Sequence, residues 1–465
     1  MNAFTPHEST IERLSSGNPQ IDLILGGGFP AHSVNVIMGL PGTGKTILVE
    51  QLMFHNATAE RPALYLTTMS EPLPKVIRYL QNFAFFDETK LGEAVLYEDI
   101  GERLAEEGIE ALMTRVREAL LDNPPAILVI DSFKVLHDLE PSSRQLRKLM
   151  HEMAGLLSAC DTTAFLLGEY NDAHIAMLPE FSVADSIVQL NRSVSNRRDE
   201  RYLRVHKLRG SAYREGIHSF RIGSNGLEVF PRLVSPKMPE GYQPDVVRMT
   251  TGTPGLDALV GGGFERGSST MLVGPSGSGK TSVALAFALE GVRRGEHSLY
   301  INFQEDPTQL RRRIASLDRS VSPMDERLHL FYHSPVELMI DSILVEVFAL
   351  VREGKVQRLV IDSLGDLGKA VDDPQRMHDY IYALIQHLRV HGVTSMMVAE
   401  RGSLLSNEAT DKDIQVSYLS DNLLLLEIQG HERLRRFVRV AKSRGAAHDL
   451  DMHELVMKSD GIFLR

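Results

Sequence analysis

Two tandem α/β domains, each built on a mainly parallel central sheet, are predicted from the amino-acid sequence by three observations. Segments 14–46 and 249–281 are offset by 249 − 14 = 235 residues and agree at 13 of 33 positions, where composition alone gives about two. Short apolar runs alternate with amphipathic helical stretches, for example Gly108 to Leu121 and Asp341 to Val351. A length of 465 residues exceeds what one core ordinarily organises, and two domains of about 230 match the repeat.

The elements follow in the same order in both halves. A glycine-rich lead-in, Gly26-Gly27-Gly28-Phe29 and Gly261-Gly262-Gly263-Phe264, precedes an apolar strand, Val34 to Met38 and Thr270 to Val273. Each strand runs into an eight-residue loop, Gly39-Leu40-Pro41-Gly42-Thr43-Gly44-Lys45-Thr46 and Gly274-Pro275-Ser276-Gly277-Ser278-Gly279-Lys280-Thr281, which opens into a helical pattern. That strand–loop–helix context is what a phosphate-binding loop requires. Glycines let successive backbone N–H groups converge on phosphate oxygens, and the helix N-terminus adds partial positive charge. Lys45 and Lys280 are placed to reach the β- and γ-phosphates of ATP, and the hydroxyls of Thr46 and Thr281 to ligate Mg²⁺.

A second strand follows, Ala63 to Leu66 and Ser298 to Ile301, and a third ends in an acid, Ala126 to Asp131 and Arg358 to Asp362. An aspartate at the C-terminal edge of a buried parallel strand reads as the Walker B residue that holds Mg²⁺, so Asp131 and Asp362 join the metal set. A fourth strand, Thr163 to Leu167 and Thr394 to Val398, ends next to Glu169 and Glu400. Pro231 to Pro244 carries four prolines and little apolar periodicity, and reads as a linker between domains 1–238 and 239–465.

Bulk properties narrow the class. With 43% apolar and 24% charged residues, both halves can bury a core. A net charge of −11 argues against a protein devoted to neutralising nucleic-acid phosphates. Cys160, the sole cysteine, excludes an intrachain disulfide and a cysteine zinc module, and is expected to pack as a small apolar residue. Met1 to Gly17 lacks a secretion signal pattern, and no apolar stretch approaches the roughly twenty residues of a membrane span, so a cytoplasmic location is expected.

The order of lead-in, phosphate loop, acid after the second strand, Walker B aspartate and late Lys-x-Arg-Gly strand resembles the KaiC family within the RecA-like ATPases, across nearly the whole chain. The resemblance implies two tandem RecA-like P-loop NTPase domains, assembled as a double-tiered homohexamer with ATP and Mg²⁺ between neighbouring subunits. It implies ATP hydrolysis, and in the best-known members self-phosphorylation and bacterial timekeeping with protein partners such as KaiB. The family's catalytic glutamates lie in a paired-acid segment after the second strand. Here the segments read Ser70-Glu71 and Gln304-Glu305, one carboxylate each, so Glu71 and Glu305 are assigned to water activation. Lys207-Leu208-Arg209-Gly210 and Lys442-Ser443-Arg444-Gly445 match the strand whose Lys and Arg reach the γ-phosphate held by an adjacent subunit. Ser417, beside Tyr418, occupies the region of the family's phosphorylated pair and is the candidate autokinase acceptor. The chain ends at Arg465, and the long tail by which clock members receive an activating partner is expected to be missing.

Two other readings compete. In a RecA- or RadA-like recombination motor, Arg197-Arg198, Arg201, Arg204, Arg311-Arg312-Arg313, Arg433 and Arg435-Arg436 would line a channel for single-stranded DNA, against which the acidic balance counts. In a signalling scaffold, ATP would be bound but scarcely turned over, because Ser70 and Gln304 cannot readily accept a proton.

Overall fold

The central strands form because their sequences are mostly apolar runs that only a sheet covered on both faces can bury. The structure, a computed structural model, describes residues 11–68, 73–139, 142–195, 198–239, 241, 243, 246–318, 320–336, 338–353, 355–371, 373–400, 419–430, 433–444, 447–458 and 461–465. The chain divides into two compact units, Met1–Arg232 and Leu233–Arg465.

In the first unit the strands are β1 (Val34–Met38), β2 (Ala63–Thr67), β3 (Val95–Asp99), β4 (Ile127–Asp131), β5 (Thr163–Gly168), β6 (Ser186–Ser195), β7 (Arg198–Leu208), β8 (Ile217–Gly223) and β9 (Gly226–Phe230). They form one sheet in the order β9-β8-β7-β6-β1-β5-β4-β2-β3. The six strands from β6 to β3 are parallel, and β7, β8 and β9 extend the sheet antiparallel. The second unit contains β10 (Ser269–Gly274), β11 (Ser298–Asn302), β12 (Leu328–Tyr332), β13 (Arg358–Asp362), β14 (Thr394–Glu400), β15 (Asn422–Gln429), β16 (Arg435–Ser443), β17 (His453–Lys458) and β18 (Gly461–Leu464). Its order, β12-β11-β13-β14-β10-β15-β16-β17-β18, repeats the first. Two nine-stranded, mainly parallel α/β sheets of RecA-like type are thus present, as the sequence predicts. The antiparallel extension goes beyond that prediction.

Each sheet has a core on both faces. In the first unit Ile37, Val129, Phe165 and Leu52 lie in one cluster, and Val36, Leu128, Leu166 and Phe133 in the other. The second unit divides in the same way, with Leu272, Tyr300 and Val360 on one face and Met271, Leu299 and Ile361 on the other. Neighbouring strand residues alternate between the clusters, as the two-residue period dictates. The predicted helices appear as Ile109–Asp122 and Ile340–Glu353. Cys160 is half-buried and packs against the first unit's core. No described helix is long and apolar enough to cross a membrane.

Candidate functional site: two phosphate loops

The loops leave the C-terminal ends of β1 and β10, where a parallel sheet exposes backbone N–H groups of the next element. Only glycine fits their first position in the first unit: Gly39 has φ +154°, and a Cβ there would stand 2.1 Å from the Leu190 carbonyl oxygen. Helices Lys45–Asn56 and Lys280–Arg293 then start from Gly44 and Gly279, both left-handed at φ 101° and 99°. Lys45 Nζ donates to the carbonyls of Gly39 (2.9 Å) and Leu40 (3.1 Å). Lys280 Nζ donates to Gly274 and Pro275, both at 2.8 Å. Each ammonium therefore lies folded along its loop.

β4 and β13 bring their terminal aspartates to the same place. Thr46 Oγ1 lies 3.2 Å from Asp131 Oδ2, and the buried Tyr65 hydroxyl donates to the same oxygen. In the second unit Tyr300 donates to Asp362 Oδ2 at 2.8 Å. Burial, reinforced by the adjacent carboxylate, pushes both phenols far up, so they remain donors. A hydroxyl and a carboxylate side by side are hard oxygen ligands suited to Mg²⁺, which takes its remaining ligands from water and phosphate. Burial pushes the Asp362 carboxyl up, against the hydrogen bonds from Tyr300 and Thr281 and the charge of Lys280. Burial likewise lowers Lys45 against the pull of Asp131 and Glu169, and Lys280 against that of Glu400 and Asp362. An anion between loop and lysine would compensate that desolvation. In the first unit the loop opens on a cavity of about 800 Å³, lined by Lys45, Thr46, Asp131 and Glu169 and walled by Tyr79 and Phe83.

Of the assigned carboxylates, Glu71 lies outside the described residues. Glu305 is held by a turn in which Asn302 Oδ1 accepts the backbone N–H groups of Gln304 and Glu305, both at 2.8 Å. Its carboxylate pairs with Arg313; the charges of both are felt at Tyr300, and that of Arg313 at Asp362. Gln304 faces a partner the sequence reading missed. Its amide donates to Asp366 Oδ2 (2.7 Å), a buried acid that also accepts from Ser363 Oγ and Lys369 Nζ, each at 2.8 Å.

Lys207, Arg209, Lys442 and Arg444 are not brought to their own loops. Lys207 Nζ donates to the carbonyls of Phe181 (3.2 Å) and Ser182 (3.3 Å), and Arg209 pairs with Asp185 at 3.2 Å. Asp185 precedes β6 and binds the N–H of Val34, the first residue of β1. The loop follows the last residue of β1, so the basic pair lies across the sheet from it, about 13 Å along the strand. The second unit repeats this placement: Lys442 Nζ donates to Ser420 O (2.6 Å), and Arg444 lies 3.8 Å from Asp421, which binds the N–H of Ser269. Register shifts opposite Ile187/Val188 and Leu423/Leu424 fall beside Lys207 and Lys442. Such bulges re-aim the side chains that follow. Ser417 lies outside the described residues.

Two further arginines do reach the loops. Arg201 Nη1 donates to Gly42 O at 2.7 Å, and Arg436 Nε to Gly277 O at 2.9 Å. The repeat offset could have found them, since 436 − 201 = 235 and 277 − 42 = 235.

Comparison with known proteins now decides the family. The family model for the KaiC ATPase matches residues 14–234 and again 249–464. The chain belongs to the KaiC ATPase family. The circadian clock protein KaiC2 of Synechocystis sp. is 26% identical over 97% of the chain and 80% of that protein. KaiC3 of the same organism is 26% identical over 98% of the chain and 92% of its own length. The circadian clock oscillator protein KaiC of Picosynechococcus sp. is 25% identical over 96% and 88%. As a KaiC ATPase, the protein is a P-loop ATPase with two repeats, and ATP with Mg²⁺ is the cofactor set of its class.

Proposed function

We propose that residues 1–238 and 239–465 are two ATP-hydrolysing domains, that the protein forms a homohexameric ring with nucleotide between subunits, and that nucleotide state controls assembly and partner binding. The observation that carries this reading is the placement of Lys207, Arg209, Lys442 and Arg444 across the sheet from their own loops, in the same way in both units. A strand end that cannot serve its own site can serve a neighbour's.

In the mechanism, the loop N–H groups and Lys45 or Lys280 bind the triphosphate and keep it in line. Thr46 with Asp131, and Thr281 with Asp362, hold Mg²⁺, which when bound neutralises charge on the phosphate oxygens. Glu305, and Glu71 by the repeat, orient water and accept its proton. Arg209 and Arg444, with Lys207 and Lys442, bring cationic charge from the adjacent subunit, which makes turnover depend on assembly. Gln304 is engaged with Asp366 and offers no proton acceptor for a hydroxyl nucleophile, so we assign the second half to hydrolysis rather than to phosphorylation of Ser417. The relatives are named as circadian clock proteins; for this chain we carry over nucleotide-gated affinity for a signalling protein, KaiB-like or other.

Turnover and size measured together test the proposal. Glu305→Gln in a Lys45→Ala background is expected to abolish hydrolysis while hexamers persist. Unchanged turnover would remove Glu305 from its role, and a monomer at micromolar concentration with saturating Mg·ATP would refute the ring.

A further inference from the structure

A glycine-rich loop gains its ability to wrap phosphate at a cost: its peptide planes can flip, because glycine has little preference between the two orientations. Gly42 and Gly277 show this freedom, with φ of +71° and +79°. At Gly42 no atom lies within 4 Å of where a Cβ would be, so local packing does not set the plane. What touches that peptide is a guanidinium. Arg201 donates to Gly42 O and Arg436 to Gly277 O, at 2.7 and 2.9 Å.

We propose that Arg201 and Arg436 are positioning residues for nucleotide binding, each pinning one loop peptide so that its N–H faces the phosphate. In a trans peptide the C=O and the following N–H point in opposite directions. Holding Gly42 O and Gly277 O outward therefore turns the N–H groups of Thr43 and Ser278 inward. Ser278 N–H does point into its loop, toward Pro275 O at 3.3 Å, the carbonyl that Lys280 also contacts.

The strand pattern explains why this position can do it. Arg201, Leu203 and Val205 share one face of β7, and Leu203 and Val205 pack in the cluster that holds Leu48 and Leu52 of the loop's helix. Arg436, Val438 and Val440 repeat the row on β16 against Val283 and Phe287. The arginine ends a row of residues lying under the loop helix. Both strands are paired on each side, Arg201 opposite Arg192 and Phe220, so the guanidinium hangs from a braced backbone. The same strand carries Lys207, with Arg209 just past its end, or Lys442, with Arg444 just past its end. One element thus ties the loop of one site to the cations assigned to the next.

The inference rests on the reading that these loops bind ATP, and the test separates the two. In a Lys280→Ala background, where the first site alone binds, Arg201→Met is expected to raise the dissociation constant for a fluorescent ATP analogue about ten- to hundredfold, as for loss of a charged hydrogen bond. Arg201→Lys, which can still donate to Gly42 O, should recover most of that loss. The melting temperature without nucleotide should not move, and KM should rise far more than kcat falls. An affinity within about twofold of the parent would overturn the proposal, as would a nucleotide-free melting temperature that falls in step with affinity. Failure of the parent itself to bind would instead refute the ATP reading.

Discussion

Arg209 offers the sharpest test of the proposed ring, because two defective chains should repair each other. The first unit is isolated by carrying Lys280→Ala throughout. Arg209→Ala alone should lower its turnover by about 10³ to 10⁵, or about 4–7 kcal/mol of barrier, the range of arginines delivered in trans to phosphoryl transfer. Lys45→Ala alone should abolish binding at the first loop. Arg209 is tied to Asp185 at the opposite end of the strands, about 13 Å along β1 from its own loop, so a cis role would require the sheet to fold over. In rings assembled from an equal mixture, an intact loop meets an intact neighbouring Arg209 at roughly one interface in four, ½ × ½, by chance pairing of identical subunits. Co-expressed chains should therefore recover about a quarter of the parent's phosphate release. Recovery no greater than the sum of the separate variants would refute delivery in trans. Full activity in Arg209→Ala alone would remove the residue from catalysis.

Gly39→Ala should cost the first site more than about tenfold in nucleotide affinity, since the loop must move from Leu190 O to admit the methyl group; titration calorimetry in the Lys280→Ala background reads it. Arg358 is fully buried, pairs with Glu296, and donates to the carbonyls of Thr250 (2.6 Å) and Phe287 (3.0 Å). Arg358→Met should destabilise the second unit by about 3 kcal/mol, visible as an earlier denaturant transition. At Asp366, burial pushes the carboxyl up, but hydrogen bonds from Lys369, Ser363 and Gln304 outweigh it and leave the folded group below the ordinary aspartate range. A depressed carboxyl contributes stability that is complete above its unfolded pKa and is lost as pH falls through the folded value. The stability difference between the parent and Asp366→Asn, followed by denaturant melts, should be constant near neutrality and shrink only below the usual carboxylate range.

The repeat, the loops and the parallel strands were legible in the amino-acid sequence, because these are encoded by neighbours along the chain. A phosphate loop needs its glycines, lysine and threonine within eight residues, and a strand buried on both faces must be apolar along most of its length. Asp131 and Asp362 were legible for the same reason, each at the last position of such a strand. The antiparallel extension was not, since β16 alternates half-exposed and buried residues from Phe437 to Ala441, a pattern that shows a one-sided strand but not its partner. Nor could spacing show that Gln304 meets Asp366, 62 residues away, or that Arg201 reaches Gly42, 159 residues away. Arg201 lies on β7 and Arg209 just past its end, yet the first touches the loop and the second sits at the opposite end of the strands. Strand order and register decided that difference, and both come from long-range hydrogen bonding and burial that no local stretch of residues contains.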